Sequence, residues 1–413
     1  LVFVPEVIAI VTVALVVFVV VTFLLNAVVS AGQVNAVYSV LIGGEPVRDG
    51  VEGIFSDSVT FALLLLLEAG LLLVSTALLF GVGVLAVSVG GATAVVLGIL
   101  VFLVWLVTVL VIHTLFVFTP QSVVLQDRGV FGAVRGNVEF IRSNPVEFVA
   151  YVIFVFAVGI ALGSVSGFLN LLGAPSAVAV LGFVVFSPFV AVVKTDMYTR
   201  HVGDAVVIPR NVSFSLERTV SGFRRGWSEM VSFTKSNLAL VAVSALLFFG
   251  TGAVAWQYTV SAGVGMETSI ANRLETLTPV GGFLNFTANN WAVGVAQSYA
   301  GFVFGVATVV SLVFNGVFLG YMTATEVNPP ELVAFVVPHG VVEIPALLIS
   351  GALGLRLGLV AFGYVRGATK KEDVTDEVRR AYNVLVGLLI LFVVAGFVEG
   401  FFSPYYYDFV FDF

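Results

Sequence analysis

Apolar runs of about 20 residues recur along the whole of this 413-residue chain, separated by short polar stretches. Such a run, wound as a helix, spans the ~30 Å hydrocarbon core of a bilayer. The pattern predicts helical spans near 7–29, 147–167, 177–193, 238–258, 290–321 and 384–402. The stretch 59–120 holds two spans or three short ones, with small-residue breaks at Gly81-Val82-Gly83 and Gly90-Gly91. Glu68 and His113 lie within it and are read as helix-to-helix hydrogen-bonding partners. Residues 30–58 form a polar, net acidic segment, with Glu45, Asp49, Glu52 and Asp57 against Arg48.

Two stretches follow a different rhythm. Val130, Val134, Val138 and Ile141 recur at helical spacing, with Arg128, Arg135, Glu139 and Arg142 on other faces. That pattern predicts an amphipathic helix lying in the membrane interface. Ninety residues on, Arg128, Gly132, Arg135, Gly136 and Glu139 are echoed by Arg218, Gly222, Arg225, Gly226 and Glu229. After a three-residue insertion, Arg142-Ser143-Asn144 returns as Lys235-Ser236-Asn237, and each copy leads into an apolar span. The expected organisation is two helical membrane modules, 1–205 and 206–413, each with a basic interfacial elbow. Arg128, Arg135, Arg218 and Arg225 would seat these elbows on anionic headgroups, at about 1 kcal/mol per basic residue.

The stretch 331–356 breaks the pattern. It is apolar, yet holds Pro338-His339-Gly340, Glu343 and Pro345. Proline removes a backbone donor, and an ionisable group at membrane depth costs ~2.5–3.5 kcal/mol on insertion scales. Lys and Arg counts give the sidedness. Seven basic residues in 194–237 and five in 365–381 place both segments in the cytoplasm; 259–290 and the C-terminal tail fall outside. If 290–321 crosses once, 331–364 must cross twice or dip and return. Two crossings need about 40 residues. A re-entrant pair of short helices is therefore expected there, giving about ten membrane segments in all. The sequon at Asn285 falls in the outer segment and is read as a chance match.

Composition agrees with this all-α, polytopic reading. Hydrophobic residues make up 59% and charged residues 10%, where a soluble domain carries roughly 25% charged. Net charge is −7, which argues against nucleic-acid binding, and the absence of cysteine removes disulfides and thiol chemistry. The chain starts inside an apolar run, so residues are expected upstream.

The candidate chemistry is sparse. His339 and Glu343 are four apart and share a helical face, Glu399 from the last span could approach them, and Arg356 could pair with either carboxylate. Such a group can bind a divalent metal, carry protons or serve as acid and base. The preferred reading is a buried polar lock. There is no second His in this segment, no H-E-x-x-H and no phosphate-binding loop, so no metal, cofactor or catalytic role is assigned. Asn289-Asn290 would cap a helix opening at Trp291, and Asn315-Gly316 would allow close helix packing with an amide hydrogen bond.

These residues carry a resemblance. Asn289-Asn290, Gly301, Gly305, Asn315-Gly316, Gly320, Pro338-His339-Gly340, Glu343, Pro345, Gly351, Gly354-Leu355, Glu399 and Pro404 resemble, in order and spacing, the stage II sporulation protein M family over roughly 225–404. The resemblance implies a non-enzymatic integral membrane scaffold in the cell membrane. Its partners would be the bilayer, a second copy of the chain, or an envelope or ATPase protein. A permease-like subunit moving a lipid or small solute is the alternative. The Asp127-Arg128-Gly129 elbow is similar to membrane domains that accompany glycerophosphoryl diester phosphodiesterases, but no phosphodiesterase motif is present.

Overall fold

Helix follows helix through the chain, as the apolar runs require: in hydrocarbon, only intra-helical bonding satisfies a single segment's backbone. The computed structural model describes residues 5–207, 215–263, 267–270 and 278–406. The helices are α1 (Pro5–Ile42), α2 (Pro46–Ser88), α3 (Gly91–Phe116), α4 (Thr119–Gln126), α5 (Val130–Ser143), α6 (Pro145–Leu171) and α7 (Pro175–Leu181). After a π-helical turn come α8 (Ser187–Val202), α9 (Leu216–Ser236), α10 (Leu238–Ser261), α11 (Pro279–Tyr299), α12 (Val306–Thr325), α13 (Pro329–Val365) and α14 (Lys371–Phe401). Among the described residues the only β-type pairing is an isolated bridge between Thr268 and Glu326. Among the described residues, nine helical stretches are long and apolar enough to cross a bilayer.

The described residues pack as two units, Leu1–Phe154 with Val190–Ile208, and Val155–Phe189 with Pro209–Phe413. In the first, the polar segment 30–58 is not a loop. It is the closed end of a helical hairpin, turning at Gly43, whose φ of +79° favours glycine. Polar side chains face each other between α1 and α2: Asn35 donates to Asp57 at 2.7 Å, and Ser39 bonds Asp49. Gly50 lets the Gly32 carbonyl approach within 3.1 Å of where a Cβ would stand. The stretch 59–120 divides at Gly90 and Gly91 (φ +75° and +61°), with a second, shorter break at Val117–Phe118 before α4, while Gly81 and Gly83 stay helical. Glu68 and His113 meet across α2 and α3 at 3.1 Å, the helix-to-helix partnership expected of them.

The two elbows close alike. Asn144 ends α5 by donating to the carbonyl of Phe140 at 3.0 Å, and Asn237 ends α9 by donating to that of Phe233 at 2.9 Å. Both Phe rings are fully buried. The arginines differ between copies. Arg128 and Arg135 both bond Glu139, at 2.9 and 3.0 Å, and together hold its carboxyl below the usual carboxylate range, Arg128 foremost. Arg218 and Arg225 are exposed, alongside an exposed stripe of Leu216, Val220, Phe223 and Trp227.

In the second unit, residues 290–321 do not form one span. The chain runs down α11, turns through a 3-10 segment and the left-handed residues Phe304 and Gly305, and returns as α12. The expected re-entrant pair at 331–364 is instead one continuous 37-residue helix, α13, with Pro338 and Pro345 inside it. The two findings explain each other: the extra reversal of chain direction that the parity count demanded is supplied by α11. That helix is only moderately apolar because its neighbours, rather than lipid, cover much of it, so hydropathy passes it over. Each proline removes one backbone bond. Breaking a helix packed along α11, α12 and α14 would strand several more.

Backbone approaches fix the directions. Gly294 on α11 lies beside Ser350, and Gly301, just past its end, meets Gly354, so α11 runs parallel to α13. Gly396 meets Thr287 and Gly400 meets Phe283, so α14 runs antiparallel to α11; Gly316 and Gly320 follow Phe248 and Gly252, so α12 parallels α10. The start of α10, the 300–305 turn and the 366–370 turn therefore lie at one end of the unit. The end of α10, the start of α11 and the end of α14 lie at the other. Arg273, Glu275 and residues 407–413 lie outside the described residues.

Because the chain contains no cysteine, single cysteines report this order directly. Phe304→Cys and Ala368→Cys are expected to react with a membrane-impermeant maleimide from the same face of sealed vesicles, and Ala262→Cys from the opposite face. Labelling of position 304 together with position 262 would contradict the extra crossing.

Candidate functional site

A buried seam runs along α13. Gly351, Gly354 and Gly358 lie on one face at helical spacing. A Cβ on Gly301 would stand 2.1 Å from the Gly354 carbonyl, and one on Gly358 would stand 2.5 Å from the Gly305 amide. Only residues without side chains permit such backbone contact. Gln297, at 2% exposure, locks the seam. Its amide nitrogen donates to the Leu347 carbonyl (2.8 Å) and the Ser350 hydroxyl (3.0 Å), and its amide oxygen accepts from Ser311 (3.0 Å). Its backbone carbonyl accepts from Thr308 at 2.8 Å, and Ser298 donates to the Ser350 carbonyl at 3.1 Å. One amide side chain thus ties α11, α12 and α13 with both of its polar ends used.

Nearer the opposite end of the unit lies the only grouping of metal-ligating side chains among the described residues. His339 and Glu343 on α13 meet Glu399 on α14, with one ligand atom from each lying within 4.8 Å of the others. His339 Nε2 is 3.8 Å from Glu399 Oε1, and its Nδ1 is 3.0 Å from the hydroxyl of Ser403. His339, Glu399 and Ser403 are buried, and the Phe335 ring closes edge-on against the imidazole at 5.2 Å between centroids. Oε2 of Glu343 and Oε2 of Glu399 are buried and make no hydrogen bond.

Arg356 is not part of this group. It lies 13 residues beyond Glu343, about 20 Å along the helix, and faces Glu377 at 3.5 Å. Glu377 also faces Arg380 at 4.0 Å, and Arg380 bonds Glu229 of the elbow at 2.8 Å. Gly226 and Gly387 lie against each other at the same junction. The second elbow is thus fastened to α14 through charge and through backbone contact.

The other singled-out residues fall in several places. Pro338, Gly340 and Pro345 lie within α13, and what a Cβ on Gly340 would meet is its own helix, Val336 and Ile344. Asn289 and Asn290 do not cap a helix. They sit in the middle of α11, bonded to each other at 3.2 Å, and the cap is Thr278, which accepts from Gly281 N–H at 3.1 Å. Gly316 does make the close approach, against the Phe248 carbonyl of α10, but the Asn315 amide donates to Ser311 of its own helix. Asn285 accepts from the Ser176 amide at 2.9 Å. Sequence reasoning passed over Gln297, Ser403 and, in the first unit, the fully buried Asn137. That residue accepts from Phe118 N–H at 2.9 Å and donates to the carbonyls of Thr114 and Leu115, bridging the α3–α4 break. No local pattern singled out either: Asn137 sits among the charges of an amphipathic helix, and Gln297 is one of four amides on α11.

Stacked apolar helices with polar groups turned inward define a multi-pass, all-helical membrane protein. Residues 242–404, from early α10 to just past α14, match the family model Stage II sporulation protein M. The resemblance carried by the Pro-His-Gly stretch and its flanking glycines is thereby borne out for this part of the chain. Two relatives are archaeal, both from Methanocaldococcus jannaschii. The uncharacterized protein MJ0793 is 27% identical over 30% of this chain and 71% of its own length. The uncharacterized protein MJ0706 is 30% identical over 27% of this chain and 52% of its own length, so the alignment spans about half of that relative. No solved structure matches the chain significantly.

Gly354→Val would place a Cβ 2.4 Å from the Gln297 carbonyl. It is expected to destabilise the second unit by about 1–3 kcal/mol or more, as overpacking does. Gly98→Ala, where a Cβ meets nothing within 4 Å, should be near neutral. Thermal unfolding of the purified chain in detergent compares the two.

Proposed function

We propose that this protein is a non-enzymatic membrane scaffold of the stage II sporulation protein M type, anchoring partner proteins in the cell membrane. The observation that carries the reading is the use of the inward-facing polar groups. Gln297, Ser298, Thr308, Ser311 and Ser350 are consumed in fastening helix to helix, and the glycine seam leaves no room between α11 and α13. A membrane interior fastened this way holds a shape and presents its ends. On this reading His339, Glu343 and Glu399 are a polar lock between α13 and α14.

The second elbow supplies the membrane anchor. Its exposed Leu216, Val220, Phe223 and Trp227 would enter the acyl boundary while Arg218 and Arg225 meet anionic headgroups. The basic connections face the cytoplasm and the C-terminal tail faces outward. Partners are a second copy of the chain or an envelope or ATPase protein. A permease-like subunit moving a lipid or small solute is the second reading, supported by the buried His339–Glu343–Glu399 group, which could carry a proton.

If the cluster is a lock, His339→Ala should reduce the amount of folded protein in membranes several-fold, whereas Glu343→Gln, which keeps shape and hydrogen-bonding capacity, should retain most of the wild-type amount. Membrane abundance by immunoblot, with monodispersity after detergent extraction, reads both. Normal abundance of His339→Ala, together with a proton flux in proteoliposomes that Glu343→Gln abolishes, would favour the permease instead.

A further inference from the structure

We propose that His339, Glu343 and Glu399 bind a divalent transition-metal cation, with zinc the best fit, clasping α13 to α14. The proposal rests on the lock reading and adds a ligand to it. Three observations point the same way. The donor atoms converge from two helices, one imidazole nitrogen and two carboxylate oxygens within 4.8 Å of one another. Around zinc, bonds of ~2.0–2.2 Å bring such donors to roughly 3.3 Å apart, a contraction that carboxylate side-chain rotation supplies.

The second observation is the imidazole's anchoring. Nδ1 lies 3.0 Å from the Ser403 hydroxyl and Nε2 lies 3.8 Å from Glu399; in the tautomer with the proton on Nδ1, that N–H donates to Ser403 and the Nε2 lone pair faces Glu399. Metal-binding histidines are held in this manner, with the far nitrogen donating to an outer partner. The third is that Oε2 of Glu343 and Oε2 of Glu399 are buried without a hydrogen bond, and no Lys or Arg among the described residues pairs with either carboxylate. Arg356, the one cation on α13, is engaged with Glu377 far along the helix. Once bound, a divalent cation would be neutralised by the two ionised carboxylates and a neutral imidazole, so the filled site carries no uncompensated charge where such charge is costly. An imidazole with only two carboxylates suits zinc better than magnesium or calcium, which prefer six or more oxygen ligands.

The test uses the full chain purified in detergent, stripped with chelator and titrated with zinc chloride, read by bound metal per chain and by thermal unfolding. The wild type is expected to retain one zinc per chain and to unfold at a higher temperature when loaded. Glu399→Gln and Glu343→Gln should keep the fold but weaken zinc binding at least tenfold and lose the thermal shift. Ser403→Ala should weaken binding 10–100-fold by freeing the imidazole. Wild type that binds no zinc, or binds it as tightly as Glu399→Gln does, overturns the proposal. If His339→Ala still fails to accumulate in that case, the lock stands without the metal. If zinc binds but His339→Ala accumulates normally, the site stands and the lock falls.

Discussion

Where the chain at Gly301 presses against the carbonyl of Gly354, no side chain stands between two turns of polypeptide, and the second unit is arranged around that contact. In lipid, hydrophobic burial gives little reason for one helix to prefer another, so association depends on close packing and interhelical hydrogen bonds. The seam supplies both. Glycines at 301, 305, 354 and 358 bring backbones together, and Gln297 bonds across the gap they create. The same device recurs at Gly252 with Gly316 and Gly320, and at Gly226 with Gly387. Each of these contacts joins a different pair of helices, and together they fix the bundle.

Much of this architecture was legible in the sequence, and the misreadings share a cause. The lipid-facing helices were found because hydropathy measures what lipid selects. α11 was missed as a separate crossing because residues such as Asn285, Thr287, Asn289 and Gln297 dilute its apolar character. Asn285, Thr287 and Gln297 bond to other segments of the unit, where polarity is tolerated, while Asn289 is exposed and bonds Asn290. The missing crossing then forced a re-entrant pair onto α13, whose two prolines made the break plausible. The actual break lies at Phe304 and Gly305, where the sequence offers only a glycine. Pairings across the fold were legible only where spacing constrains them. His339 and Glu343 share a face by arithmetic, whereas Ser403 beside His339, or Glu377 beside Arg356, follows from helix packing that no local pattern encodes.

The repeated elbow shows what sequence echo preserves and what it does not. Both copies end in an asparagine that bonds the carbonyl four residues back over a buried phenylalanine. Both contain a glycine where neighbouring atoms approach too closely for a side chain, Gly136 and Gly226. The charges have diverged in use. In the first copy the arginines turn onto Glu139; in the second they stand in the open while Glu229 holds Arg380 of α14. The capping bond and close packing are retained while electrostatic duty is reassigned.

The hairpin of α1 and α2 has one further implication. A helix of 43 residues is about 65 Å long, roughly twice the hydrocarbon thickness. Its apolar part begins near Val59, so the thirteen residues from Pro46 to Ser58 add about 20 Å of stiff, polar rod. Zipped to α1 through Asn35 and Asp57, that rod is braced rather than floppy. With the apolar part of α2 in the hydrocarbon, the tip of the hairpin, with Glu45, Asp49 and Glu52, would project beyond the headgroups as an acidic mast, within reach of molecules that never touch the lipid.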